Sequence, residues 1–180
     1  TGAPVQASFD NQASLEEVMS THDQTQKPAH KPFESTIKRD VLNQEYTFST
    51  FVVGRNNEFA HAASYNVAMK PGTGGYNPLF ICGPVGMGKT HLLNAVGNQI
   101  REGSPNARIT YVSAERFLNE CIASIRRHEM DKFRLRYREK CDVLLVDDVQ
   151  MLGRGQAVQE EFFHTLNDFF EKNHQVVVSS

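Results

Sequence analysis

The chain has no apolar run of the ~20 residues needed to cross a bilayer, and its mean hydropathy is −0.46. Its first residues lack the charged, apolar and small-residue regions of a secretory signal, so export is not expected. Cysteine is scarce: Cys82, Cys121 and Cys141 form an odd set with no C-x-x-C spacing. That excludes a disulfide framework, argues against a zinc site and fits free thiols in a reducing cytoplasm. The seven histidines are scattered without ligand spacing. A positive excess is also missing, since 19 Lys and Arg face 21 Asp and Glu for a formal net charge of −2. Global charge therefore predicts no nucleic-acid partner, and any DNA contact has to come from a local patch. With 180 residues there is room for one compact domain and not comfortably two.

What is present is organised around residues 79–90. Leu79, Phe80, Ile81 and Cys82 run straight into Gly83-Pro84-Val85-Gly86-Met87-Gly88-Lys89-Thr90, and a helix start follows at His91-Leu92-Leu93. Gly83, Gly88, Lys89 and Thr90 satisfy G-x-x-x-x-G-K-[ST], the phosphate-binding loop. A short buried strand must stop abruptly here, and glycines, Gly86 included, permit a backbone that approaches and wraps a phosphate. The loop amides and the positive end of the next helix then face the anion. Lys89 adds a mobile charge for the β- and γ-phosphates, and the Thr90 hydroxyl can bind Mg²⁺. The alternative is a ligand-free glycine turn. A strand before the loop and an amphipathic helix after it favour the nucleotide.

Residues 1–43 are polar and rich in Gln, Ser, Thr, His and Pro, and read as a flexible arm or linker. Within them Ser14-Leu15-Glu16-Glu17 starts like a capping box, giving a short unstable helix or a docking segment. The folded domain is expected over 44–180, since aromatic and β-branched residues set in at Tyr46. A helix capped by Asn56 or Asn57 is expected to reach about Lys70, with Phe59, Ala63 and Val67 on one face. Strands follow at 79–82, 108–112, 143–146 and from 175. Helices lie at about 89–102, from Ser113, over 130–140 and over 156–170. Strand–helix alternation implies a parallel sheet covered on both faces, with ligands at the strands' carboxyl ends.

The strand Val143-Leu144-Leu145-Val146 ends in Asp147-Asp148. It delivers Asp147 to the sheet edge beside the phosphate loop, where it can hold Mg²⁺ together with Thr90. Asp148 would sit nearer the γ-phosphate and could polarise an attacking water as the catalytic residue. The alternative is a pair of surface carboxylates. Over 130–140, Lys132, Arg134, Arg136 and Arg138 form a basic stripe that meets phosphates or is simply a solvated face. Phe133 and Tyr137 read as core residues.

Beyond both motifs, Tyr46-Thr47-Phe48, Phe51-Val52-Val53-Gly54-Arg55-Asn56-Asn57, Tyr76-Asn77-Pro78, Asp147-Asp148-Val149-Gln150 and Gln159-Glu160-Glu161-Phe162-Phe163-His164 closely resemble the DnaA family of bacterial replication initiators. The resemblance runs over residues 46–180. It implies an α/β fold: a P-loop AAA+ three-layer sandwich around a parallel sheet of order 5-1-4-3-2. It implies ATP/ADP and Mg²⁺ as cofactors, with Val53 and Asn56 near the adenine. In the family, ATP binding more than hydrolysis switches the protein into a helical oligomer on origin DNA, the duplex opens and helicase is loaded. The implied partners are therefore origin DNA, double- and single-stranded, further copies of the chain, and the replicative helicase or its loader, in the cytoplasm. Residues 114–140 would be the initiator-specific insertion, with Ile122 as an aliphatic single-strand contact. In the loop after the paired aspartates the usual arginine position holds Ala157, and Arg154 is the substitute contact.

In the family a sensor Asp, an arginine finger, a lid and a helix-turn-helix come later than Ser180. The chain is therefore expected to be a partial AAA+ core without its C-terminal strand and lid, inactive in hydrolysis, with strand 79–82 an open edge. Two competing readings are a related helicase loader or regulatory protein acting on protein partners, and a binding module with a vestigial site.

Overall fold

The computed structural model describes residues 41–180 except Gly74, and Arg154 by its backbone alone. The expected arm, with its capping box at Ser14, lies outside the described residues. Among the described residues, Leu42 is buried under Gly97.

Four parallel strands make one sheet: β1 (Leu79–Ile81), β2 (Ile109–Ser113), β3 (Val143–Asp147) and β4 (Gln175–Ser179), in the order β1-β4-β3-β2. Leu145 pairs with Tyr111 on one side and Val177 on the other, and Phe80 pairs with Val178. This is the order expected from the family resemblance. β3 and β4 are buried along their whole length, as continuous apolar strands between two layers must be.

Alternation along the strands sorts the core into two faces. Val143, Leu145 and Val177 face α1 (Glu58–Met69) and α2 (Lys89–Gly103), against Val67, Leu92, Leu93, Val96 and Ile100. Leu144, Val146, Val176 and Val178 face α3 (Ala114–Arg126), α4 (Met130–Arg134), a π-helical turn (Leu135–Glu139) and α5 (Gln156–Glu171). A 3₁₀ segment, Val149–Arg154, joins β3 to α5. Phe117 is the hub of this second face, edge-on to Phe133, Tyr137 and Phe162 at 5.1, 4.9 and 5.4 Å. Each such ring pair adds about 0.5–1.5 kcal/mol beyond its buried area. Ser113 caps α3 by accepting the amide of Arg116, the third helical residue, at 3.3 Å.

Two expectations need correction, and the basic stripe gains partners. Phe59 is 75% exposed, because the buried stripe of α1 runs through Ala63, Ser64, Val67 and Ala68. Asn57 occupies the cap position of α1, yet its side chain makes no cap bond. It accepts from the Gly54 amide at 2.7 Å and donates to the Val52 carbonyl at 3.0 Å, closing the preceding loop. The basic stripe is tied to carboxylates: Arg134 and Arg138 both reach Glu161, Arg136 reaches Glu120, and Lys132 pairs with Glu129. Phe133 and Tyr137 are core residues, as expected.

Candidate functional site

The site forms where β1 stops. Gly83 donates its amide to Ser180 at 3.3 Å and Ser180 donates to Ile81 at 3.0 Å, so the loop entrance is fastened to the end of β4. Gly86 and Gly88 then take φ of +85° and +82°, where a side chain is strained. At Gly86 the conformation alone demands glycine, since an added Cβ would meet nothing within 4 Å. At Gly88 space demands it too: a Cβ would come within 2.6 Å of the Phe51 ring.

Gly88 is the cap residue of α2, so the first amides of that helix, unpaired within it, point back toward the loop. No acidic side chain in the first turn of α2 offsets its positive end. The Lys89 ammonium donates to the Gly83 and Pro84 carbonyls at 2.7 and 3.0 Å, which holds it across the loop.

Two clefts flank the loop and share Lys89. One, of about 450 Å³, is lined by Gly86, Gly88, Lys89, Thr90 and Asp148, with Tyr46, Val85 and His91 completing the wall. The other, of about 340 Å³, is lined by Gly83, Pro84, Met87, Cys82 and Lys89 together with Asn56, Asn57 and Ala60 from the loop before α1 and its start. Asn56 lines this cleft; Val53, on the same loop, is 48% exposed and is not among the lining residues.

Asp147 ends β3 on the face of Val143 and Leu145, the face that α2 covers. It is 6% exposed, and its carboxylate accepts from the Tyr111 hydroxyl at 3.1 Å and from the Ser179 hydroxyl. Asp148 is left-handed, with φ 56° and ψ 50°, a conformation Asp adopts more readily than most residues. Its amide donates to Ser179 Oγ at 3.0 Å, and its carboxylate, accepting from Gln150 at 3.1 Å, lines the larger cleft. The loop, Thr90 and Asp148 are therefore brought to one cleft, with Asp147 on the adjoining strand end.

Of the expected DNA contacts, Ile122 lines neither cleft. Ile122 is half-buried on α3 against the Phe117 core. The Arg154 side chain lies outside the described atoms. Sequence reasoning missed Ser179 and Tyr111, the two hydroxyls that hold Asp147. Neither belongs to a motif, and only strand register puts them beside it.

This fold and loop define a P-loop protein with the AAA+ strand order. Residues 42–180 match the family model of the bacterial DnaA ATPase domain, and the chain belongs to that family. It is 56% identical over 185 residues to the chromosomal replication initiator protein DnaA of Bdellovibrio bacteriovorus, covering 100% of this chain and 39% of that protein. Among solved structures it is similar to domain III of the Thermotoga maritima replication initiation protein DnaA, with a TM-score of 0.75, 47% identity, and coverage of 78% of this chain and 57% of that one. It is also similar to a replication initiator DnaA bound to AMPPCP and single-stranded DNA, with a TM-score of 0.73, 37% identity, and coverage of 78% and 43%. The chain thus spans well under half the length of the full-length relative.

Proposed function

We propose that this domain binds a purine nucleoside triphosphate with Mg²⁺ and acts as the ATP switch of a replication initiator. One observation carries the reading: left-handed Gly86 and Gly88, Lys89, Thr90 and Asp148 share one cleft at the carboxyl edge of the sheet. The chemistry of the donor set fits the ligand. Lys89 and the first amides of α2 offer positive charge to phosphate oxygens. The Thr90 hydroxyl and the Asp147 carboxylate offer hard oxygen ligands to the cation. When bound, Mg²⁺ neutralises charge on the β- and γ-phosphates. The pocket at Asn56, with apolar Ala60, Met87 and Leu92, takes the base. Asp148 orients the attacking water as the catalytic residue. The related DnaA bound to AMPPCP supports adenine nucleotide as the ligand.

On this reading the switch governs assembly of copies on origin DNA, duplex opening and delivery of the replicative helicase. Single-strand contact falls to Ile122 on α3 and to Arg154, and the relative bound to single-stranded DNA supports a DNA partner. Titration calorimetry of Mg²⁺-ATP tests the site: wild type binds, and Lys89→Ala loses binding at least about tenfold, the scale of one charge-assisted contact. Equal affinity in the two proteins overturns the assignment. Strand binding that is unchanged in Ile122→Ala with Arg154→Ala overturns the DNA contact alone.

A further inference from the structure

His91 is the third residue of α2, directly after Lys89 and Thr90. Its ring stacks on Tyr46 at 4.8 Å with the planes 15° apart, and Phe51 meets it edge-on at 5.2 Å. Its Nε2 lies 2.8 Å from the Thr47 carbonyl. A carbonyl can only accept, so Nε2 is the donor in this contact. Tyr46 and His91 together form part of the wall of the larger cleft.

A second attachment is independent of the first. Phe51 packs so closely on Gly88 that a Cβ there would come within 2.6 Å of its ring. Phe51 also stacks on His61 of α1 at 5.7 Å and 16°. Residues 46–51 are thus fastened to the last glycine of the loop and to the first turn of α2, the two places a bound phosphate would fix. Within the segment the Thr47 amide donates to the Thr50 hydroxyl at 3.1 Å, and the Thr50 amide donates to Thr47 Oγ1 at 3.3 Å. Those amides report on whether the turn is closed.

We propose that His91 is a positioning residue that ties the triphosphate cleft to residues 46–51, so that an occupied cleft holds that segment closed. The inference rests on the nucleotide reading of the cleft. Filling space at the cleft wall would need only an apolar side chain. A ring that also donates to a backbone carbonyl sets the position of the segment as well as its packing.

Amide hydrogen exchange on the full chain, with and without Mg²⁺-AMPPCP, tests this, and thermal melting of the same samples reports binding. In wild type the nucleotide should raise the melting temperature and slow exchange at Thr47 and Thr50 by about twofold to tenfold, the scale of one hydrogen bond. His91→Ala should remove that nucleotide dependence. His91→Gln, whose amide can still donate to the Thr47 carbonyl, should restore part of it, which a purely space-filling role would not. A wild type that melts higher with nucleotide but exchanges unchanged at 46–51 overturns the inference and leaves the nucleotide reading standing. Wild-type slowing retained in full by His91→Ala overturns the role of His91. A wild type whose melting does not respond to nucleotide overturns both.

Discussion

The Ser179 hydroxyl donates to the Asp147 carboxylate across the seam between β4 and β3, and in turn accepts the Asp148 amide. Both aspartates thus take their position from a fully buried serine on the neighbouring strand. Ser179→Ala leaves a buried carboxylate one donor short and an amide without its acceptor. The expected loss of stability is about 1–3 kcal/mol, read from urea unfolding. Tyr111→Phe, which removes the other donor from the same carboxylate, should also destabilise the protein. Unchanged midpoints in both variants would mean that the hydroxyls do not hold Asp147.

Glu161 ties α4 and the π-helical turn to α5. Its side chain is 7% exposed, and it accepts from Arg134 at 3.0 and 3.1 Å and also from Arg138. Removing one partner of a buried ion pair strands the other, so Glu161→Ala should cost about 2–4 kcal/mol, less than a fully enclosed pair because Arg134 is half exposed. Lys132→Ala, in an exposed pair with Glu129, should change stability by less than about 0.5 kcal/mol. Chemical denaturation of the two variants side by side checks the contrast.

The thiols should divide by environment. Burial pushes Cys121 and Cys141 up to about 11, so both stay protonated and enclosed near neutral pH. Cys82 is exposed and lines the cleft beside Asn56. Alkylation of the native chain should label Cys82 alone, and Mg²⁺-ATP should slow that labelling; peptide mass mapping reads both. Labelling of Cys121 or Cys141 at the rate of Cys82 contradicts the packing.

Acid should weaken the β2–β3 end of the sheet through one carboxylate. The Arg108 guanidinium, with a 2.9 Å hydrogen bond, holds Asp142 below its ordinary value of 3.8. A depressed carboxyl stabilises the fold above the unfolded-chain value, and that contribution is lost as pH falls below it. Asp142→Asn should therefore be less stable than wild type at neutral pH and converge with it in acid. A constant gap across a pH series of melting curves would assign the difference to packing instead.

The parts of this protein that were legible in its sequence are those fixed by local pattern. The apolar runs at 79–82, 143–146 and 176–178 gave the strands, and Gly83 to Thr90 gave the loop, because a steep strand-to-helix turn admits few residue types. Strand order came from the family resemblance rather than from periodicity. Phe59 was misplaced because helical spacing gives a stripe's period but not which stripe meets the sheet. The ion pairs of the arginines in 130–140 were not legible because Glu161 and Glu120 reach them only through tertiary contact. Ser179 was invisible as a site residue for the same reason: its partner is 32 positions away in sequence and adjacent only by register.

The most direct test is thermal melting with ATP, with and without Mg²⁺, in wild type and in Asp147→Asn. At a ligand concentration about 100 times the dissociation constant, wild type with Mg²⁺ should melt roughly 6–10 °C higher, should gain less when the cation is chelated, and Asp147→Asn should show no difference between the two conditions. A wild type that melts unchanged with Mg²⁺-ATP, or an Asp147→Asn protein that keeps the full magnesium-dependent rise, contradicts a cation and triphosphate held between Lys89, Thr90 and Asp147.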